Sequence, residues 1–199
     1  MAGVCRLRRP LRLYHSSMLV LASQSPRRQE ILRAAGIPFV VRPSAIDEPP
    51  SEGQLPENYV TRLAAAKAAA LKCSEDELVL AADTVVVVDH HILGKPRDPD
   101  DAASMLRLLS ARDHLVMTGI CLQRGNRRLL DLETTRVRFA ALSEGEILDY
   151  VASAEPMDKA GAYAIQGLAC KFVERVEGCY FNVVGLPIAR VYRLLKTLG

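Results

Sequence analysis

Two adjacent arginines at the start of a helix carry the first chemical signal in this chain. Ser23-Gln24-Ser25-Pro26-Arg27-Arg28-Gln29-Glu30 follows the apolar run Met18-Leu19-Val20-Leu21-Ala22 and precedes an apolar stripe. Ser25 suits an N-cap, Pro26 the first helical position, and Gly36 with Pro38 the stop, which predicts a helix from about Pro26 to Ala35. Arg27 and Arg28 then crowd the positive end of the helix dipole, at a cost of ~0.3–1 kcal/mol each when exposed. A phosphate would remove that cost, because helix N-termini bind it and arginine grips it bidentately. Two solvated arginines that simply tolerate the cost are the plainer alternative.

Asp83 is the second signal. It stands with Thr84 inside Leu78–Val88, a run otherwise wholly apolar. Such a run predicts a strand covered on both faces at the centre of a sheet. A carboxylate there is costly unless it is paired or holds a metal. Lys67 interrupts the apolar face Val60, Leu63, Ala64, Leu71 of a helix predicted over Pro56–Cys73; it either snorkels or holds an anion. Lys95, between Gly94 and Pro96, suits a positioned cation. Asp47 and Glu48 sit in a Pro-, Ser- and acid-rich segment, 44–56, whose plain reading is a solvated loop. Asp89-His90-His91 reads as a hairpin tip rather than a metal site, since neighbouring strand side chains point to opposite faces.

The elements that must position these residues follow in order. Phe39–Val41 reads as a short strand and Pro99–Ser110 as a helix. His114–Gln123 and Leu129–Ala140 form a hairpin turning at Gly125-Asn126. Gly119 inside the first of these strands predicts close backbone approach. Ser143 and Glu146 have capping-box spacing for a helix to about Ala152. The stretch Gly161-Ala162-Tyr163-Ala164-Ile165-Gln166-Gly167 has glycines around an amide but no dinucleotide fingerprint. Leu168–Val176 and Tyr180–Val184 read as β-type runs, and Leu186-Pro187 opens a last helix. The expected architecture is α/β with a mixed sheet flanked by helices.

Composition excludes several classes. At 199 residues the length suits one domain, expected over 18–199. No apolar run reaches membrane length, so no membrane partner is expected. Five scattered cysteines without a C-x-x-C pair fit a reducing compartment. The formal charge of +3 is uneven: residues 1–17 hold Arg6, Arg8, Arg9 and Arg12 and no acid, while the remainder has 22 basic and 23 acidic residues, a net −1. The body is therefore no nucleic-acid binder, and phosphate affinity must come from local placement. Residues 1–17 read as an unstructured extension outside the fold, with organelle targeting as an alternative to a cytoplasmic location.

Together, Ser23-x-Ser25-Pro26-Arg27-Arg28, Ala82-Asp83-Thr84, Gly94-Lys95-Pro96, Thr118-Gly119 and Gly161-Ala162-Tyr163-x-Ile165-Gln166-Gly167 closely resemble the Maf family of nucleoside triphosphate pyrophosphatases, from about Met18 to Leu198. The resemblance implies an inosine triphosphatase-like fold with a central cleft, usually a homodimer. It also implies metal-dependent hydrolysis of a nucleoside triphosphate to the monophosphate and pyrophosphate. Asp83 matches the catalytic proton acceptor. Ser23, Arg27, Arg28, Lys67 and Lys95 match cleft positions, and Glu48 matches an acid that helps hold metal, Mg²⁺ before Mn²⁺ or Co²⁺. Whether Asp83 is base or ligand stays open. Arg27, Thr84 and Gln166 match the subgroup acting on dTTP and UTP, with CTP or modified pyrimidine nucleotides as further substrates. A subgroup acting on methylated guanine nucleotides has a tryptophan before the arginine pair, and this chain has none. The rival reading is a nucleotide-binding regulator of septum formation, although a sensor has little need for a buried acid.

Overall fold

The computed structural model describes residues 18–46 and 53–198. The basic extension 1–17 and the Asp47–Glu48 pair lie outside the described residues. Seven strands form one mixed sheet in the order β2-β1-β3-β5-β6-β7, with β4 paired to β3. β1 (Leu19–Leu21) runs parallel to β2 (Val40–Val41) and to β3 (Leu78–Val88), because α1 (Pro26–Ala34) and α2 (Pro56–Ala69) provide the crossovers. From β3 onward the sheet is antiparallel through β4 (His91–Leu93), β5 (Asp113–Arg124), β6 (Arg127–Phe139) and β7 (Val173–Glu177). α3 (Pro99–Leu109), α4 (Glu144–Ala152), α5 (Tyr180–Val184) and α6 (Ile188–Leu198) complete the fold. Among the described residues no helix is long and apolar enough to cross a membrane.

β3 is the centre the sequence predicts: ten of its eleven residues are buried, Thr84 excepted. The two faces of the sheet carry separate cores. One packs Leu80, Ala82 and Val86 against α3 and α6; the other packs Val85, Val87 and Met117 against Tyr59, Val60 and Leu63 of α2. Gly119 behaves as its position in the strand predicts. A Cβ there would lie 2.5 Å from the Val60 carbonyl oxygen, so α2 rests directly on the β5 backbone.

Asp98 and Ser143 cap α3 and α4, and Ser143 forms the full capping box with Glu146. Asp89 and His90 adopt positive φ at the β3–β4 turn, as the hairpin reading expects. Two expectations are corrected. Residues 168–172 form a 3-10 turn, and β7 begins only at Val173. Tyr180–Val184 is a helical turn rather than a strand. Its Asn182, fully buried, donates to the Val116 carbonyl and to Thr135 Oγ1, which fixes the segment against β5 and β6.

Candidate active site

β3 has β5 on one side along residues 79–87. On its other side β1 pairs only as far as Leu80, and β4 begins only at Val86. The edge between them is open, and the β1–α1 loop and α1 N-terminus face it. In open α/β sheets ligands bind where strand neighbours part, beyond the carboxyl end of parallel strands. Alternation along β3 sends Asp83 and Thr84 to opposite faces. At this gap both border the same cleft, whose volume is about 680 Å³, a size suited to a small-molecule ligand.

The cleft brings together every expected site residue that is described: Ser23, Arg27, Arg28, Lys67, Asp83, Thr84, Lys95 and Gln166. Glu48 lies outside the described residues. On the α2 face Lys67 Nζ donates to Asp83 Oδ1, and both side chains are largely buried, 15% and 10% exposed. This pairing explains how the central strand accommodates its carboxylate. Gly119 lies opposite Asp83 in the β3–β5 register, so the close seat of α2 that brings in Lys67 depends on the missing side chain.

The two arginines occupy different environments. Arg28 turns inward: Nε donates to Gly185 O (2.9 Å), Nη1 to Ala82 O (2.7 Å) and Ser23 Oγ (3.2 Å), and Nη2 to Thr84 Oγ1 (3.2 Å). It braces the cleft wall, tying the β1–α1 loop, the open β3 edge and the turn after α5. Thr84 Oγ1 also lies 2.9 Å from Thr118 Oγ1. Arg27 sits at the cleft, 28% exposed, with Nη1 4.0 Å from Asp158 Oδ2. Ser25 takes the N-cap position but its hydroxyl makes no capping bond, and no acid stands in the first turn of α1. That end of the helix therefore suits an anion.

Lys95 is exposed at the rim, on a turn pinned by the Gly161 N–H to Gly94 O bond of 2.9 Å. Gly161, at φ 67°, packs where a Cβ would meet Val86 at 2.7 Å. Gln166 is exposed to the cleft from the turn 164–167. Asp158 and Lys159 also line the cleft and were missed by the sequence reading, although they stand just before the Gly161–Gly167 stretch. Burial works against the Asp158 carboxylate, but the Lys159 ammonium and the Arg27 guanidinium hold it below its usual range.

Among the described residues no group of three or more His, Cys, Asp or Glu could hold a metal by itself. Mg²⁺ characteristically uses one or two carboxylates with substrate phosphates, so Asp83 fits an ion that arrives with a polyphosphate.

Among the described residues, one buried, paired carboxylate and five lining cations define an α/β domain built to handle a polyanionic small molecule. A model of the Maf-like proteins matches residues 18–198, and the chain belongs to that family. Proteins named dTTP/UTP pyrophosphatase are similar over nearly all of it. That of Koribacter versatilis (strain Ellin345) is 50% identical over 91% of this chain and 94% of its own length. That of Geobacillus sp. (strain WCH70) is 50% identical over 91% and 98%, and that of Anaeromyxobacter sp. (strain Fw109-5) 51% over 91% and 89%. A solved nucleoside-triphosphatase / dITP/XTP pyrophosphatase from Mycobacterium abscessus is a more distant likeness, with a TM-score of 0.41 at 16% identity over 63% of this chain and 75% of that one.

Proposed function

We propose that this protein is a nucleoside triphosphate pyrophosphatase that hydrolyses dTTP and UTP to the monophosphate and pyrophosphate. The observation that carries the reading is the convergence of Asp83 with Arg27, Arg28, Lys67, Lys95 and Lys159 on one cleft from five separate segments. The half-identical relatives support the substrate class by their names.

Splitting the α–β anhydride requires neutralised phosphoryl oxygens, an oriented water and an acceptor for its proton. Arg27 and the α1 N-terminus take the phosphate chain at one wall, and Lys95 meets it from the rim. Arg28 keeps Thr84 and the loop in register rather than grasping phosphate itself. Asp83, oriented through Oδ1 by Lys67, receives the water proton at its second oxygen while the water oxygen bonds to phosphorus and pyrophosphate leaves. A divalent ion, Mg²⁺ in this proposal, would be held by Glu48 and by the substrate and would supply charge neutralisation; Asp83 is the alternative ligand, a role that competes with proton acceptance. Gln166, both donor and acceptor, reads the imide edge of uracil or thymine. The same proposal has one domain over 18–199 acting as a homodimer in the cytoplasm on free nucleotide rather than nucleic acid. The family resemblance and the near-neutral body support these points.

The test is pyrophosphate release from dTTP, UTP, CTP, GTP and 7-methyl-GTP with Mg²⁺ and with chelator, using Asp83→Asn as control. Metal-dependent release led by dTTP and UTP and lost in the variant is expected. Tight nucleotide binding with no release would replace the enzyme by a sensor.

A further inference from the structure

The turn that presents Gln166 is held from behind by two residues outside the cleft lining. Ala164-Ile165-Gln166-Gly167 closes through a Gly167 N–H to Ala164 O bond of 3.0 Å. Each flank of the turn offers one more backbone N–H, and both find partners on the segment that ends α4. Ala164 N–H donates to Tyr150 Oη at 3.4 Å, and Leu168 N–H to Glu155 Oε2 at 3.1 Å. Tyr150 Oη in turn donates to Glu155 Oε1 at 2.9 Å. Tyr150 is 3% exposed, and burial first, then the Glu155 carboxylate, pushes its hydroxyl pKa up, so it stays a donor. Gln166 thus rides on a staple whose two arms grip residues 164 and 168.

Two backbone features accompany the staple. A Cβ on Gly167 would lie 2.2–2.4 Å from the Glu155 carboxylate, so the carboxylate fills the space a side chain would need. Ala154, which delivers Glu155, adopts φ 61°, a left-handed conformation unfavourable for alanine.

We infer that Tyr150 and Glu155 are positioning residues for substrate selection: they fix the height and direction of the Gln166 amide, and through it the preference between pyrimidine bases. The inference rests on the proposed pyrophosphatase reading and extends it to residues that touch neither substrate nor metal. Glu155 has two accepting oxygens, and both are used. Glutamine keeps the shape but supplies one acceptor, so one arm of the staple opens. Tyr150→Phe removes the hydroxyl that links the other arm. In both variants Arg27, Lys67 and Asp83 stay where they are, so the phosphate chemistry is left intact and only base recognition loosens.

The experiment measures kcat/KM for UTP, CTP and GTP in wild type, Glu155→Gln, Tyr150→Phe, Gln166→Ala and the Glu155→Gln/Gln166→Ala double variant, with Tm for each. Glu155→Gln and Tyr150→Phe should lower the UTP-over-CTP ratio by about tenfold through KM, the order expected for losing an aligned hydrogen bond. In the Gln166→Ala background Glu155→Gln should change the ratio no further, because the amide it positions is gone. A fall in Tm and kcat with an unchanged ratio would mean a purely structural staple and overturn the inference. So would an equal loss of ratio with or without Gln166. Absence of pyrophosphate release by wild type from every nucleotide would remove the underlying function, an outcome distinct from either.

Discussion

Placing a single methyl group on Gly119 should damage both stability and turnover, because α2 has no room to receive it. The added carbon would lie 2.5 Å from Val60 O, 2.7 Å from Val60 C and 2.8 Å from Thr61 Cα, all backbone of a helix that cannot rotate aside. Ordinary contact begins near 3.4 Å, so α2 must retreat by roughly 0.9 Å or tilt about that point. Its buried face, Tyr59, Val60, Leu63, Ala64 and Ala68, moves with it. Overpacking of this kind costs about 1–3 kcal/mol. For a chain of this length that corresponds to a Tm lower by roughly 2–12 °C. The same movement draws Lys67 from Asp83, two turns further along α2. A misplacement near 1 Å in a catalytic group can cost ~10²-fold in rate. Gly119→Ala, assayed by calorimetry and by pyrophosphate release, should therefore lose both, with kcat falling more than KM rises. Wild-type Tm with wild-type kcat would refute the close seat of α2 and its link to Asp83.

Asp83→Asn should abolish turnover and, by removing the carboxylate that the largely buried Lys67 ammonium bonds, destabilise the fold by up to about 3 kcal/mol; Asp83→Asn/Lys67→Met should recover most of that Tm while remaining inactive. Burial pushes the His114 imidazole down from 6.5 to about 4, so the unfolded chain takes up its proton first as pH falls. Stability from this group is complete above pH 6.5 and declines between 6.5 and about 4 by on the order of 3 kcal/mol, and denaturant midpoints across that window should flatten in His114→Gln. Arg28→Lys loses the fork shared by Gly185 O, Ala82 O and Thr84 Oγ1 and should lower Tm, by about 1–2 kcal/mol in stability, whereas Arg27→Ala should raise KM for the triphosphate and leave Tm unchanged. Matched Tm values for the two arginine variants would contradict their division of labour.

Much of this fold is written in local pattern. An eleven-residue apolar run has few alternatives to a central strand, a proline after serine starts a helix, and a Ser-x-x-Glu box caps one. Gly119 was legible as a close approach because glycine inside a strand costs stability without a packing reason. Asp83 was legible because a carboxylate in that strand needs a partner, and Lys67 because it breaks an apolar face. Tyr180–Val184 was not legible, since four apolar or aromatic residues around one asparagine fit a strand or a helical turn equally well until Asn182 finds Val116 O and Thr135 Oγ1.

Sequence by itself therefore determined which residues are chemically out of place: a buried acid, cations at a helix start, an amide between glycines. Only the tertiary structure decided how they meet. Period-two alternation should separate Asp83 from Thr84 across the sheet, and what reunites them is the gap where β1 stops at Leu80 and β4 starts at Val86. It likewise decided that Arg28 is brace and Arg27 cleft cation, since neighbours in sequence lie about 100° apart around a helix and so face different surroundings. Glu155 belongs to the same class. Nothing in its local sequence distinguishes it from a solvated acid; its role comes from a backbone N–H thirteen residues away and a glycine that leaves room for its carboxylate.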